Sequence, residues 1–323
     1  MAKVQVLLPV YNCERFLTDT LRSLLEQDYQ DFEILALDDG SSDRSGDILQ
    51  EMAKLHPKIK LIKNQQNRGI IFCRNHLFDL ATSEYLAIAD ADDIYHPNRL
   101  SKQVKVMDIE NGLAACSTAY KFTDSDIKVY PPESSSEIAA YLTLVNVFAN
   151  PCAMIRRSVL EVTGLRFEKE FAGAADFLFW YKLSQFGNLK NIPEVLFSYR
   201  QHPGQESRVN NSRQRKNHLK AVQKFLAQWS VEVDNQTLAD LIWPEEAHLN
   251  DLRKVSALVN KVSNKLKAAD TENSREIEKI WDIRLRSLCR RFGWQGFKAY
   301  IMERGINSAT KGKKFGLSFF CLV

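Results

Sequence analysis

Leu86-Ala-Ile-Ala89 is an apolar run that passes without a break into Asp90-Ala-Asp92-Asp93, so a strand ends on three carboxylates. That juncture constrains the chain more than any other stretch. A buried carboxylate without a partner is costly, and close neighbours of like charge repel one another. A hard divalent cation at the strand's end satisfies such a cluster with oxygen ligands and keeps positions open for phosphate oxygens. The run therefore implies metal-assisted chemistry on a phosphorylated substrate.

Strand and helix patterns alternate on either side of it. Apolar runs predict strands over 4–10, 32–37, 59–63 and 84–89, and helical spacing predicts helices over 13–27, 43–55, 68–81 and 100–110. Alternation of this kind specifies an α/β fold, Rossmann-like, with a mostly parallel sheet flanked by helices. Such sheets bind ligands beyond the carboxyl ends of their strands. The polar motifs fall at those ends, at 9–12, 38–43 and 90–93. Residues 123–136 read as a polar surface loop, and a later strand is expected over 195–199. Beyond residue 210 only helical spacing is found, as in Leu252, Val255, Val259, Val262 and Leu266, or Ile277, Trp281, Leu285 and Leu288. The expected division is an α/β domain over 1–210 and a helical region over 211–323.

Six cysteines (Cys13, Cys73, Cys116, Cys152, Cys289, Cys321) are scattered with no Cys-x-x-Cys pair. That argues against a disulfide framework or a zinc site and for a reducing cytoplasm. No apolar run approaches the roughly 18 to 20 residues that span a bilayer, and no signal peptide is expected ahead of Val4. Charge is uneven: residues 1–210 hold 23 Lys and Arg against 28 Asp and Glu, residues 211–323 hold 21 against 12. A basic back half suits an anionic surface, or is a solvated helical face. The tail from Lys311, with Phe315, Leu317, Phe319, Phe320 and Leu322, suits an anionic membrane surface or a docked terminus. Its aromatics are not interleaved with basic residues, which argues against nucleic acid as a partner.

Within 38–43, Gly40 permits a tight turn and Ser41 or Ser42 can cap the following helix. Capping leaves the adjacent Asp38 and Asp39 unexplained; a carboxylate there can accept the imide hydrogen of a uracil or the hydroxyls of a ribose. Tyr11 suits either base stacking or core packing. Asp176, at the start of a helical pattern, suits an N-cap. Arg200 and His202 share one face of an extended segment and can both meet phosphate oxygens.

The motifs occur in a specific order: Pro9-Val-Tyr11-Asn12, Asp38-Asp-Gly-Ser-Ser-Asp43, Asn67-Arg-Gly69 with Arg74-Asn75, and Asp90-Ala-Asp92-Asp93 with Pro97 and Arg99-Leu100. This series resembles the family 2 glycosyltransferases, inverting enzymes of the GT-A fold, from about residue 3 to about residue 205. The resemblance implies that Pro9, Tyr11, Asp38, Asp39 and Arg68 bind the nucleotide, and that Asp90 grips the ribose and diphosphate. It places Arg200 on the phosphates and Asp92, Asp93 and His202 on a metal, Mn²⁺ or Mg²⁺; a nitrogen ligand favours Mn²⁺. Asp176 would be the base, with Ala175 in place of the usual acidic neighbour, and Asn150-Pro151 would shape the acceptor side. The implied reaction moves a sugar from a nucleotide sugar, most naturally a UDP-sugar, to a hydroxyl of a glycan or lipid-linked oligosaccharide. Lipopolysaccharide, capsule or other surface polysaccharide synthesis is the expected setting. The expected place is cytoplasmic, with the C-terminal region in peripheral contact with the inner face of the membrane. A polyprenyl phosphate acceptor and a non-catalytic sugar-nucleotide-binding scaffold are the alternatives.

Overall fold

Every residue of β1 (Val4–Val10) is buried, as an apolar run broken only by the hydrogen-bonded Gln5 requires when both faces of a strand are covered. The computed structural model describes residues 2–300 apart from 126, 206–210, 270, 294, 297 and 299. β1 pairs in parallel with β2 (Phe32–Asp38) and β4 (Tyr85–Ile88), and β2 with β3 (Ile59–Lys63). The register sets Val10 beside Asp38 and Leu7 beside Ile88. The polar segments that follow these strands therefore leave one edge of the sheet together. Between the strands run α1 (Glu14–Leu25), α2 (Ser45–Leu55) and α3 (Ile70–Leu80), with α4 (Arg99–Ile109) after the aspartates.

The sheet continues past β4 in the order β8 (Met154–Arg156), β6 (Leu113–Phe122), β9 (Asn188–Tyr199) and β5 (Ile94–Tyr95), with β7 (Lys128–Val129) on β6. β8 is antiparallel to both neighbours, whereas β6 and β9 are parallel. In the mixed half only the end of β9 is expected from the sequence, because β6 is rich in Ala, Ser and Thr and β8 is only three residues long. β9 begins ahead of the expected strand because Pro193, which cannot donate to the ladder, interrupts it. Its register jumps from Ile192 to Val195. β5 pairs antiparallel with Ser198 and Phe197, and this short pairing carries the segment after Tyr199 to the aspartates. The fully buried Arg99 ties the same region, donating to the carbonyls of Ile88 at 2.8 Å and Ala153 at 3.3 Å. After β8 the chain forms α5 (Arg157–Thr163) and then α6 (Ala175–Leu183).

The described residues divide into two compact units, one within residues 2–138 and 146–217 and one within residues 139–145 and 218–300. The second is helical among its described residues. In it Trp281 is fully buried and donates its indole N–H to Thr143 Oγ1 at 2.9 Å, while Val255, Val259, Val262 and Leu266 form the expected buried stripe. No helix among the described residues is long and apolar enough to cross a membrane. The basic, apolar stretch 311–323 lies outside the described residues.

Candidate functional site

The loops after β1 and β2 are laced together by reciprocal bonds. Ser42 N–H donates to Asn12 Oδ1 at 2.8 Å and Asn12 N–H to Ser41 Oγ at 3.1 Å. Glu14 N–H meets Asp43 Oδ2 at 3.0 Å, and Arg44 N–H meets Glu14 Oε2 at 2.8 Å. Ser41 and Ser42 thus do not cap α2, as its spacing suggested; the loop after β1 competes for them, and Asp43 Oδ1 takes the Ser45 N–H instead. Gly40 makes the turn: its φ is +68°, and a Cβ there would stand 2.7 Å from the Gln66 carbonyl carbon. Tyr11 stands beside this lacing, 48% exposed, while Pro9 is buried within β1 opposite Leu37.

Asp38 and Asp39 are both nearly buried, with different tasks. Asp38 Oδ1 accepts the Ser41 N–H at 3.0 Å and stabilises the turn. Asp39 receives Asn64 Nδ2 at 2.7 Å, Gly69 N–H at 2.8 Å and, on both oxygens, the Arg68 N–H. It thereby anchors the 64–69 loop, and reading a base edge would require one of these donors to give way. The Arg68 side chain is exposed, its guanidinium 3.4 Å from the centroid of the Phe72 ring.

The aspartates after β4 separate. Asp90 pairs with Arg74 Nη2 of α3 at 2.7 Å. Asp92 Oδ2 lies 2.9 Å from His202 Nε2. Asp93 is fully buried, its Oδ1 accepting the Arg200 N–H at 2.8 Å and its Oδ2 without a partner. Arg200 Nε donates to the Asp92 carbonyl at 2.8 Å, and its guanidinium lies 4.8 Å from the Phe16 ring. The His202 ring packs on the same Phe16, centroids 4.6 Å apart. Burial, then the charge of Asp90, pushes the Asp92 carboxyl up, against the His202 contact. Burial, then Asp92 and Asp90, pushes Asp93 well up. Among the described residues no three His, Cys, Asp or Glu side chains enclose a metal ion by themselves. The half-buried pair Asp92 and His202 nevertheless fits a divalent cation that takes its remaining ligands from diphosphate and water, and such a cation relieves the carboxylate repulsion.

Asp176 lies in the first turn of α6, whose N-cap is Ala174 with no side-chain cap, so Asp176 is not the cap its position allowed. Its Oδ2 accepts from Asn146 Nδ2 at 3.1 Å. Burial pushes its carboxyl up; the Arg74 charge and helix-start N–H groups pull it down, and Asp90 acts against them. Arg74 therefore bears on both Asp90 and Asp176, and joins the strand-end cluster to the helix start. Phe16 and Asn146 were missed in the sequence. Phe16 carries no signal apart from its place four residues after Asn12, and Asn146 carries none.

Residues 5–164 match the sequence family described as Glycosyl transferase family 2. An uncharacterized glycosyltransferase of Haemophilus influenzae is 27% identical over 267 residues, covering 78% of this chain and 82% of that protein. The UDP-Glc:alpha-D-GlcNAc-diphosphoundecaprenol beta-1,3-glucosyltransferase WfaP of Escherichia coli is 28% identical over 211 residues, 64% of this chain and 80% of that one. Among solved structures, the mannosyltransferase PcManGT of Pyrobaculum calidifontis, in complex with GDP-Man and Mn²⁺, superposes with a TM-score of 0.56. It is 19% identical, over 96% of this chain and 88% of that one, which shows a shared GT-A fold.

Proposed function

We propose that this chain, which belongs to glycosyltransferase family 2, is an inverting, divalent-metal-dependent enzyme that transfers a sugar from a UDP-sugar to a hydroxyl of a glycan or lipid-linked oligosaccharide in surface polysaccharide synthesis. The observation that carries this reading is the pairing of Asp92 with His202 at 2.9 Å, with Asp90 and Asp176 both under the influence of Arg74. One end of that arrangement suits a diphosphate and the other a proton acceptor.

In this reading Tyr11 stacks on the base, and the 64–69 loop fixed by Asp39 forms the pocket beside it. Asp90 and Arg200 hold the ribose and diphosphate. Asp176 takes the proton of the acceptor hydroxyl as its oxygen bonds to the anomeric carbon and the bond to the diphosphate breaks on the opposite face. Asp92 and His202 would hold a Mn²⁺ or Mg²⁺, which would supply positive charge to the leaving diphosphate. Asp93 serves this by fixing Arg200, and not as a ligand, because its carboxylate is enclosed. The activity that WfaP's name gives supports a UDP-sugar and a lipid-linked acceptor, and the Mn²⁺ bound by PcManGT supports the metal. The free thiols Cys13, Cys73, Cys116, Cys152 and Cys289 suit a cytoplasmic setting. The positive excess of 211–323 suits an anionic membrane face.

The test is a thermal-shift series with UDP-glucose, UDP-GlcNAc and GDP-mannose, each with Mn²⁺ and with chelator. A true donor at about 100 times its dissociation constant stabilises the fold by about 2.7 kcal/mol. The expected result is a UDP-sugar shift that chelation removes. No shift with any of them counts against the donor assignment.

A further inference from the structure

The side chain that meets Asp176 comes from a segment that no motif touches. Asn146 Nδ2 donates to Asp176 Oδ2 at 3.1 Å, and Asn146 Oδ1 accepts the Phe148 N–H at 3.0 Å. The second bond decides which way the amide points: oxygen must face the Phe148 N–H, so the NH₂ faces the carboxylate. Phe148 is in turn buried and packs on Trp180, ring centroids 4.7 Å apart. Asp176 and Trp180 stand one turn apart on α6 and share a face. Residues 146–148 therefore grip that face at two points, a polar one at the helix start and an aromatic one a turn later. An exposed amide would ordinarily lose side-chain entropy on being held so; here the core-anchored Phe148 already restricts it.

We propose that Asn146 is the positioning residue of the base: its anchored amide holds Oδ2 of Asp176 and sets the orientation of that carboxylate toward the acceptor hydroxyl. The proposal rests on the reading of Asp176 as the base. Ala175, buried, offers no polar atom where the resemblance leads one to expect an acidic neighbour, and Asn146 supplies a polar contact from a different part of the chain. The charged groups facing Asp176 are Arg74 on α3 and Asp90 after β4, joined by the N–H groups of Asp176 and Phe177. Asn146 adds a donor with no charge, which favours the ionised carboxylate.

The test is a pH titration of the full chain by NMR. The side-chain NH₂ signals of Asn146, identified as those missing from Asn146→Ala, are expected to shift with pH at the midpoint of Asp176. That shift is expected to vanish in Asp176→Asn. Asn146→Asp keeps the acceptor for Phe148 but sets a carboxylate against Asp176. The carbon-13 carboxyl signal of Asp176 is then expected to titrate about one pH unit higher, a tenfold change in ionisation constant. Asn146 NH₂ signals indifferent to pH, or an unmoved Asp176 midpoint in Asn146→Asp, overturn the proposal. Full transfer by Asp176→Asn would instead remove the base assignment, while the titration still reads the contact.

Discussion

Asp176→Asn is expected to lower the transfer rate by about 10²- to 10⁴-fold, the range a positioned general base contributes, with the fold intact. The amide matches the carboxylate in shape and can still accept from Asn146, but it cannot take a proton. The effect on stability follows from the direction of the Asp176 shift. Burial holds its folded carboxyl above the ordinary value. Ionisation is thus less favourable in the folded chain than in the unfolded one, and at neutral pH the charge opposes folding. Removing it should leave the melting temperature unchanged or raise it. Release of UDP from the donor, measured beside a thermal melt of the same protein, checks both halves. A variant that melts normally and transfers at the full rate would place the base elsewhere.

The second large effect concerns Asp92. Asp92→Asn keeps a side chain beside His202 but removes its negative charge, leaving one neutral carbonyl oxygen as a weaker ligand for a hard cation. Transfer is expected to fall by roughly 10²- to 10³-fold, the scale of losing one strong electrostatic contact to developing charge. Mn²⁺-dependent binding of UDP, followed by calorimetry, should weaken in parallel. Asp93→Asn is the contrast: the amide oxygen can still accept the Arg200 N–H, and burial already disfavours the charge that is removed, so transfer and melting temperature should both stay near the parent's. If Asp92→Asn binds Mn²⁺ and UDP as the parent does, the metal assignment fails.

The strand ends were legible because each pairs a buried apolar run with polar residues that a strand interior cannot hold. β1 and β3 fall at the expected bounds for this reason. The separation of Asp92 from Asp93 follows from the turn at 91–92 between β4 and β5, since Asp92 stays in the turn and Asp93 leads into β5. One therefore reaches His202 while the other enters the core. What brought His202 there was not legible. It lies 110 residues from Asp92 and depends on the two-residue strand β5 pairing with the end of β9. Two residues carry too little periodicity to predict. Asn146 and Asp176 are likewise separated by 30 residues and meet through packing of Phe148 on Trp180. Ser41 and Ser42 show the opposite failure: a local capping preference was real, but the loop after β1 offered Asn12 as a better partner.

Direct displacement, with the base opposite the leaving diphosphate, makes one stereochemical demand. The donor anomeric centre must invert. Proton NMR of the sugar first formed when the enzyme, with Mn²⁺, turns over the UDP-α-sugar selected by thermal shift reads this directly, whether water or an added glycan is the acceptor. The β-anomer is expected as the first product, formed about 10²- to 10⁴-fold more slowly by Asp176→Asn. An α-configured first product would contradict this, because no arrangement with Asp176 as the single base across the anomeric carbon from the diphosphate retains configuration.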